Sequence, residues 1–137
     1  MTAQPSNHSK EKMLMSDNQL VVLSKTFAVA TINLCETVKE RKKASAIVNQ
    51  LLRSGTSIGA NIHEANYASS KADFINKFQI ALKECFETDY WLDIFLNSKM
   101  ISDEEYSNMF SQCSKIRKLL IASITTAKKN MEQQTKP

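Results

Sequence analysis

The scarcity of chain breakers constrains this sequence more than any other feature: only two glycines, Gly55 and Gly59, and two prolines, Pro5 and Pro137, occur in 137 residues. Tight turns and hairpins depend on glycine to reach positive φ and on proline to pre-set the bend. A chain almost without them is left with a few long helices joined by short polar links. Hydrophobic residues at 42% and charged residues at 23% supply enough apolar surface for a core and lie outside the compositions that stay disordered. At this length the core belongs to one domain, since single domains cluster near about 100 to 150 residues.

Apolar spacing locates the helices. From Asp17 to about Val38, Leu20, Leu23, Phe27, Ala30, Leu34 and Val38 recur at steps of three or four, the period of one helix face. Ser16 followed by Gln19 has the spacing of a capping box at its start. From about Ala44 to Ala68 the stripe is Ile47, Leu51, Gly55, Ile58, Ile62 and Ala65, widened by Val48, Leu52 and Gly59. After Ser69 and Ser70 a third stripe runs through Phe74, Phe78, Ala81, Cys85, Leu92 and Phe95, with Ile75, Leu82, Phe86 and Leu96 beside it, and ends near Asn97 to Met100. Ser102 with Glu105 forms a second capping-box pattern, and Tyr106, Met109, Cys113, Ile116, Leu120, Ile124 and Ala127 mark a fourth helix. Short links make neighbours antiparallel, so the expected fold class is all-α, an antiparallel up-down-up-down four-helix bundle. It should occupy residues 17–131, with a disordered lead at 1–16 and a frayed tail at 132–137.

Several function classes are weakly supported. Lys25, Glu36 and similar residues interrupt every apolar run before it reaches the roughly 18 residues that span a bilayer, so no membrane partner is expected. The N-terminal segment lacks an apolar stretch of signal-peptide length, and the expected location is cytoplasmic. Cys35, Cys85 and Cys113 are odd in number, widely spaced and flanked by apolar residues, which suits buried thiols better than disulfides or zinc. A di-iron bundle would need Glu-x-x-His pairs, whereas His63 precedes Glu64 and the other histidine, His8, lies in the tail. The glycines are followed by no Gly-Lys-Ser/Thr phosphate loop. No catalytic residue, metal or cofactor is expected.

The most informative segment is Arg53 to Ala65, RSGTSIGANIHEA, whose two glycines each cost a helix interior about 1 kcal/mol relative to alanine. Their compensation is a thin face that lets a neighbour approach, and the aromatic third helix is the expected neighbour. Arg53, Ser57, Asn61 and Glu64 share one face beside the apolar stripe. Arg53 is positioned to pair with Glu87 or Glu64, and Asn61 to reach a carbonyl or acid opposite. Such residues would specify helix register.

Charge is segregated. Lys39 to Lys43 reads KERKK, residues 115–136 carry six bases against one acid, and residues 84–105 carry seven acids against Lys99 alone. Segregation of this kind produces one basic and one acidic surface.

Two stretches, RSGTSIGANIHEA and SKADFINKFQIALKECFETDYWLDIF, together resemble the bacterial four helix bundle protein family. That family includes proteins encoded in intervening sequences of 23S ribosomal RNA genes and is related to the accessory variability protein of diversity-generating retroelements. The resemblance spans roughly Leu20 to Ala127. It implies a homopentameric assembly, with nucleic acid engaged through basic surface. Arg53, Ser57, Asn61, Glu64 and Glu87 match the family's polar signature positions, and Phe74, Tyr90 and Trp91 its aromatic ones. Ala65 stands where other members often carry glycine. The leading expectation is therefore a non-catalytic, oligomeric scaffold for RNA or DNA whose Lys39, Arg41, Lys42, Lys43, Lys115, Arg117 and Lys118 contact phosphates. The second is a protein-interaction module without nucleic acid.

Overall fold

The structure, a computed structural model, describes residues 7–42 and 45–135. Four helices account for almost all of them: α1 (Asn7–Lys42), α2 (Ser45–Ala65), α3 (Lys71–Asn97) and α4 (Asp103–Thr135). Each helix packs on its neighbours in sequence, and α1 closes the ring against α4. Links of two to five residues force the chain to reverse at each step. The result is the expected antiparallel four-helix bundle.

Two helices are longer than their apolar stripes. α1 starts at Asn7 rather than Asp17, so Ser16 is an interior position and not a cap. Nothing between Asn7 and Ser16 opposes a helix, because Lys10, Glu11, Lys12, Met13 and Leu14 are all strong helix formers. α4 likewise continues to Thr135, through most of the segment expected to fray. The Asp17–Arg41 part of α1 is also long and apolar enough to cross a membrane by length and composition, contrary to the sequence expectation. About a third of its most apolar stretch is buried within the bundle.

The core is a set of four seams with alternating steps of three and four. On α2 the seam runs through Val48, Leu51, Gly55, Ile58, Ile62 and Ala65, with Ser54 buried beside it, and on α3 through Phe78, Ala81, Cys85, Thr88, Leu92 and Phe95, with Ile75 buried before it. On α4 they are Met109, Cys113, Ile116, Leu120, Ile124 and Ala127. This spacing is the knobs-into-holes pattern of nearly parallel helix axes. It explains two departures from the expected faces. Ile47 and Phe86 each lie one residue off the seam, about 100° around the helix, and stand 42% and 54% exposed.

The α1 seam is the least apolar: Leu20, Ser24, Phe27, Thr31, Leu34 and Val38. Its buried hydroxyls are satisfied within the helix. Ser24 Oγ donates to Val21 O at 3.3 Å and Thr31 Oγ1 to Phe27 O at 2.8 Å. Short polar side chains here let α2 come close. A Cβ added to Gly55 would stand 2.7 Å from Thr31 Cγ2, and one at Gly59 would stand 3.3 Å from the backbone oxygen of Ser24. The thin face of α2 thus meets α1, not the aromatic α3. Toward α3, α2 presents Ser54, whose Oγ accepts from Thr88 Oγ1 at 3.0 Å and donates to Leu51 O at 3.3 Å.

The helix ends follow capping chemistry. Ser70 caps α3 through Asp73 N–H, and Ser102 and Glu105 form the expected reciprocal box on α4 at 2.9 and 3.0 Å. α3 ends in a Schellman turn: Lys99 N–H donates to Leu96 O and Met100 N–H to Phe95 O, with Lys99 at φ 60°. That left-handed conformation favours glycine, which this chain lacks there.

Candidate functional site

The signature positions of α2 divide into an inter-helix clamp and a local ladder. Arg53 reaches across to α3, pairing with Glu87 through Nη2 and with Glu84 through Nη1 at 3.4 Å. The bond to Arg53 holds the Glu87 carboxyl below its ordinary range, whereas burial pushes Glu84 upward. Glu64 pairs instead with Lys77 at 2.9 Å. Ser57 and Asn61 do not cross to a neighbour. Ser57 Oγ donates to Arg53 O at 2.6 Å and Asn61 Nδ2 to Ser57 O at 2.9 Å, because the side chains of residues four apart reach back to the preceding turn. These exposed pairs set register more than stability, since such bridges contribute about 0 to 1 kcal/mol.

The aromatic signature lies on α3. Phe74 is half-buried against Phe78, with ring centroids 4.3 Å apart. Tyr90 is 54% exposed and meets Trp91 edge-on at 5.1 Å. Trp91 Nε1 is buried without a hydrogen bond of ordinary geometry, and Glu87 is the carboxylate close enough to feel it.

A second clamp joins α3 to α4, and composition did not disclose it. Arg117 is ion-paired to Asp89, each side chain only 18% exposed, and also donates to Ser114 Oγ at 3.2 Å. The guanidinium lies 5.7 Å from the Phe86 ring and 5.8 Å from that of Phe110. Burial raises the Asp89 carboxyl despite its partner. Desolvation therefore outweighs attraction here, as it often does for shielded pairs. Beneath it, Cys113 S–H points at Cys85 O at 3.7 Å. All three cysteines are free and buried. Burial pushes the Cys35 thiol up to about 11, and the contact with Cys85, followed by burial, raises Cys113 as well, the opposite of a nucleophile's environment. Among the described residues no cluster of three or more His, Cys, Asp or Glu is arranged to hold a metal.

The seven bases expected to contact phosphate do not form one patch. Arg41 is bound to Glu105 at 3.1 Å, and Arg117 sits in the clamp just described. Lys39 is half-buried near the end of α1, Lys42 lies in its last turn, and Lys43 falls outside the described residues. Lys115 and Lys118 are exposed on α4. They lie ten and thirteen residues beyond Glu105, about 15 to 20 Å down the axis from the end that holds Arg41. They belong to the basic stretch 115–136 noted in the sequence, whose Lys128 and Lys129 were not among the expected phosphate contacts. From Tyr106 to Met131, α4 carries no carboxylate, and Lys128 and Lys129 are exposed too. Among the described residues none of these four lysines is ion-paired.

Lys115 also borders a cleft of about 320 Å³ between α1 and α4, lined by Leu23, Thr26, Asn108, Ser111 and Gln112. A smaller cleft of about 240 Å³ lies between α1 and α2 beside Gly59, with Lys25 and His63 at its rim.

No curated protein matches this chain at a significant level. A solved structure from Bacteroides thetaiotaomicron, described as a protein of the S23 ribosomal protein family with unknown function, is similar. The two are 45% identical with a TM-score of 0.79, over 80% of this chain and 98% of the other. Residues 16–122 match the 23S rRNA-intervening sequence protein family. That span takes in the Arg53 clamp, the glycine seam and the Asp89–Arg117 pair, and the chain belongs to this family.

Proposed function

We propose that the protein is a non-catalytic, oligomeric scaffold in the cytoplasm that associates with RNA through the basic face of α4. The observation that carries this reading is Lys115, Lys118 and Lys129, which share the outer face of α4, are without an ion-pair partner among the described residues, and lie in a stretch with no carboxylate from Tyr106 to Met131. Exposed ammonium groups with no internal partner attract a polyanion and release its counterions on contact. The family name, which ties related proteins to 23S ribosomal RNA genes, supports the same partner class. Assembly is supported by apolar side chains left outside the single chain, including Val22, Val29, Phe86, Tyr90 and Ile121. Buried, raised thiols and the scarcity of histidine support a non-enzymatic role.

Charge reversal tests it. Fluorescence anisotropy with a structured ribosomal RNA fragment at low salt should show binding that Lys115→Glu with Lys118→Glu abolishes, while light scattering shows an unchanged assembly mass. Absence of binding by the intact protein would refute the RNA role, and a monomer at micromolar concentration would refute the scaffold.

A second reading, a protein-interaction module, is favoured by Phe86 and Tyr90, which stand exposed on α3 among Glu87, Asp93 and Glu84. Under it, the same charge reversal leaves partner capture intact.

A further inference from the structure

We propose that the α1–α4 cleft is a nucleobase site, which takes an unpaired base of single-stranded RNA while Lys115 and Lys118 hold the flanking phosphates. This inference rests on the RNA-scaffold reading and adds where the strand is read and by what chemistry.

The cleft's volume, about 320 Å³, falls at the lower end of the range for small-ligand pockets. Its polar lining is arranged. Gln112 Nε2 donates to Asn108 Oδ1 at 3.1 Å, which orients the two amides toward each other at the edge of the cleft. That bond leaves Asn108 Nδ2 as a donor and Gln112 Oε1 as an acceptor, neither with a partner among the described residues. A donor and an acceptor side by side are the complement of adenine, which offers an N6 amine beside the N7 acceptor. Single-stranded RNA presents such edges because its bases can be splayed from the stack.

The opposite wall supplies the apolar contact that a base face needs. Leu23 lines the cleft. Lys115 lines the cleft itself and Lys118 follows one turn on, so cations lie beside the amide edge rather than within it. Phosphate contacts of this kind position a strand, while base-edge contacts discriminate.

The test compares a short oligoadenylate with an abasic ribose-phosphate oligomer of equal length and charge, by anisotropy across a salt series. The intact protein should bind the oligoadenylate at least about fivefold more tightly. Asn108→Leu with Gln112→Leu should erase that preference without altering the salt slope. Thr26→Tyr, which fills the cleft from the α1 side, should do the same and keeps the test independent of α4. Lys115→Ala with Lys118→Ala should instead weaken both ligands and flatten the slope by about 1.4. Failure of the intact protein to bind either oligomer would refute the RNA role itself. Equal binding of the two oligomers, or a preference that survives both cleft variants, would overturn the base site while leaving the scaffold standing.

Discussion

Gly55→Ala offers a sharp reading of the α1–α2 seam. In an exposed helix interior this exchange stabilises by about 1 kcal/mol, because alanine loses less backbone entropy on folding. Here the new Cβ would stand 2.7 Å from Thr31 Cγ2 and 2.9 Å from Thr31 Oγ1, far inside ordinary contact. Thr31 has little room to yield: it is fully buried, β-branched, and bonded through Oγ1 to Phe27 O at 2.8 Å. Relief needs the helices to part by most of an ångström, and overpacking of that kind costs about 1 to 3 kcal/mol. Net of the propensity gain, Gly55→Ala should lose the expected stabilisation and cost up to roughly 2 kcal/mol, or up to about 8 °C in Tm for a domain of this size. The penalty should vanish when Thr31 is also alanine, since its γ atoms are what the methyl meets. A double-mutant cycle by urea denaturation, at fixed protein concentration, should therefore show coupling of at least about 1 kcal/mol. A Gly55→Ala protein more stable than the parent by the full propensity gain of about 1 kcal/mol, or an effect unchanged by Thr31→Ala, would refute the seam.

Four other substitutions follow from the same packing and capping. Phe78→Ala and Leu120→Ala remove fully buried core side chains and should each cost about 2 to 5 kcal/mol in chemical denaturation. Lys99→Gly relieves a left-handed residue in the α3–α4 turn and should raise stability by roughly 0.5 to 1 kcal/mol, with no change in helix content by circular dichroism. Glu105 is held below its ordinary carboxyl pKa, first by the Ser102 backbone N–H and then by Arg41. Its contribution is therefore present above the ordinary value, near 4.5, and is lost as pH falls through the lower folded value. Unfolding midpoints taken from neutral pH down to about pH 3 should fall less steeply for Glu105→Gln than for the parent.

The bundle was legible because most of its seams are apolar and the cap of α4 is spelled within four residues. Ser102 and Glu105 marked the start of α4, and Met109 through Ala127 marked its buried face, without help from tertiary context. The α1 seam was harder to read. Ser24 and Thr31 look like surface residues until their hydroxyls are seen bonded to their own helix and their smallness is seen to admit the glycines of α2. Periodicity gives a face but not its neighbour, which is why the thin face of α2 was assigned to α3. The end of α3 carried no glycine to announce a left-handed turn.

The candidate site was less legible for a related reason: formal charge does not say which bases are already engaged. Arg53 with Glu87 could be read from helix faces, since both flank their apolar stripes. Arg41 and Arg117 could not be told from free cations by composition, yet both are tied to carboxylates far away in sequence. Removing those two from the basic inventory shifts its weight to Lys115, Lys118, Lys128 and Lys129, where no acid lies between Tyr106 and Met131.

The central claim, that this face of α4 meets RNA phosphate, is tested most directly by the dependence of binding on salt. Affinity of the assembled protein for single-stranded RNA, measured by anisotropy from about 50 to 200 mM salt, should fall linearly on a double-logarithmic plot. The slope should be at least about −1.4, the value for two phosphates neutralised by Lys115 and Lys118. Absence of binding at the lowest salt, or an affinity that does not change across the series, would contradict the claim.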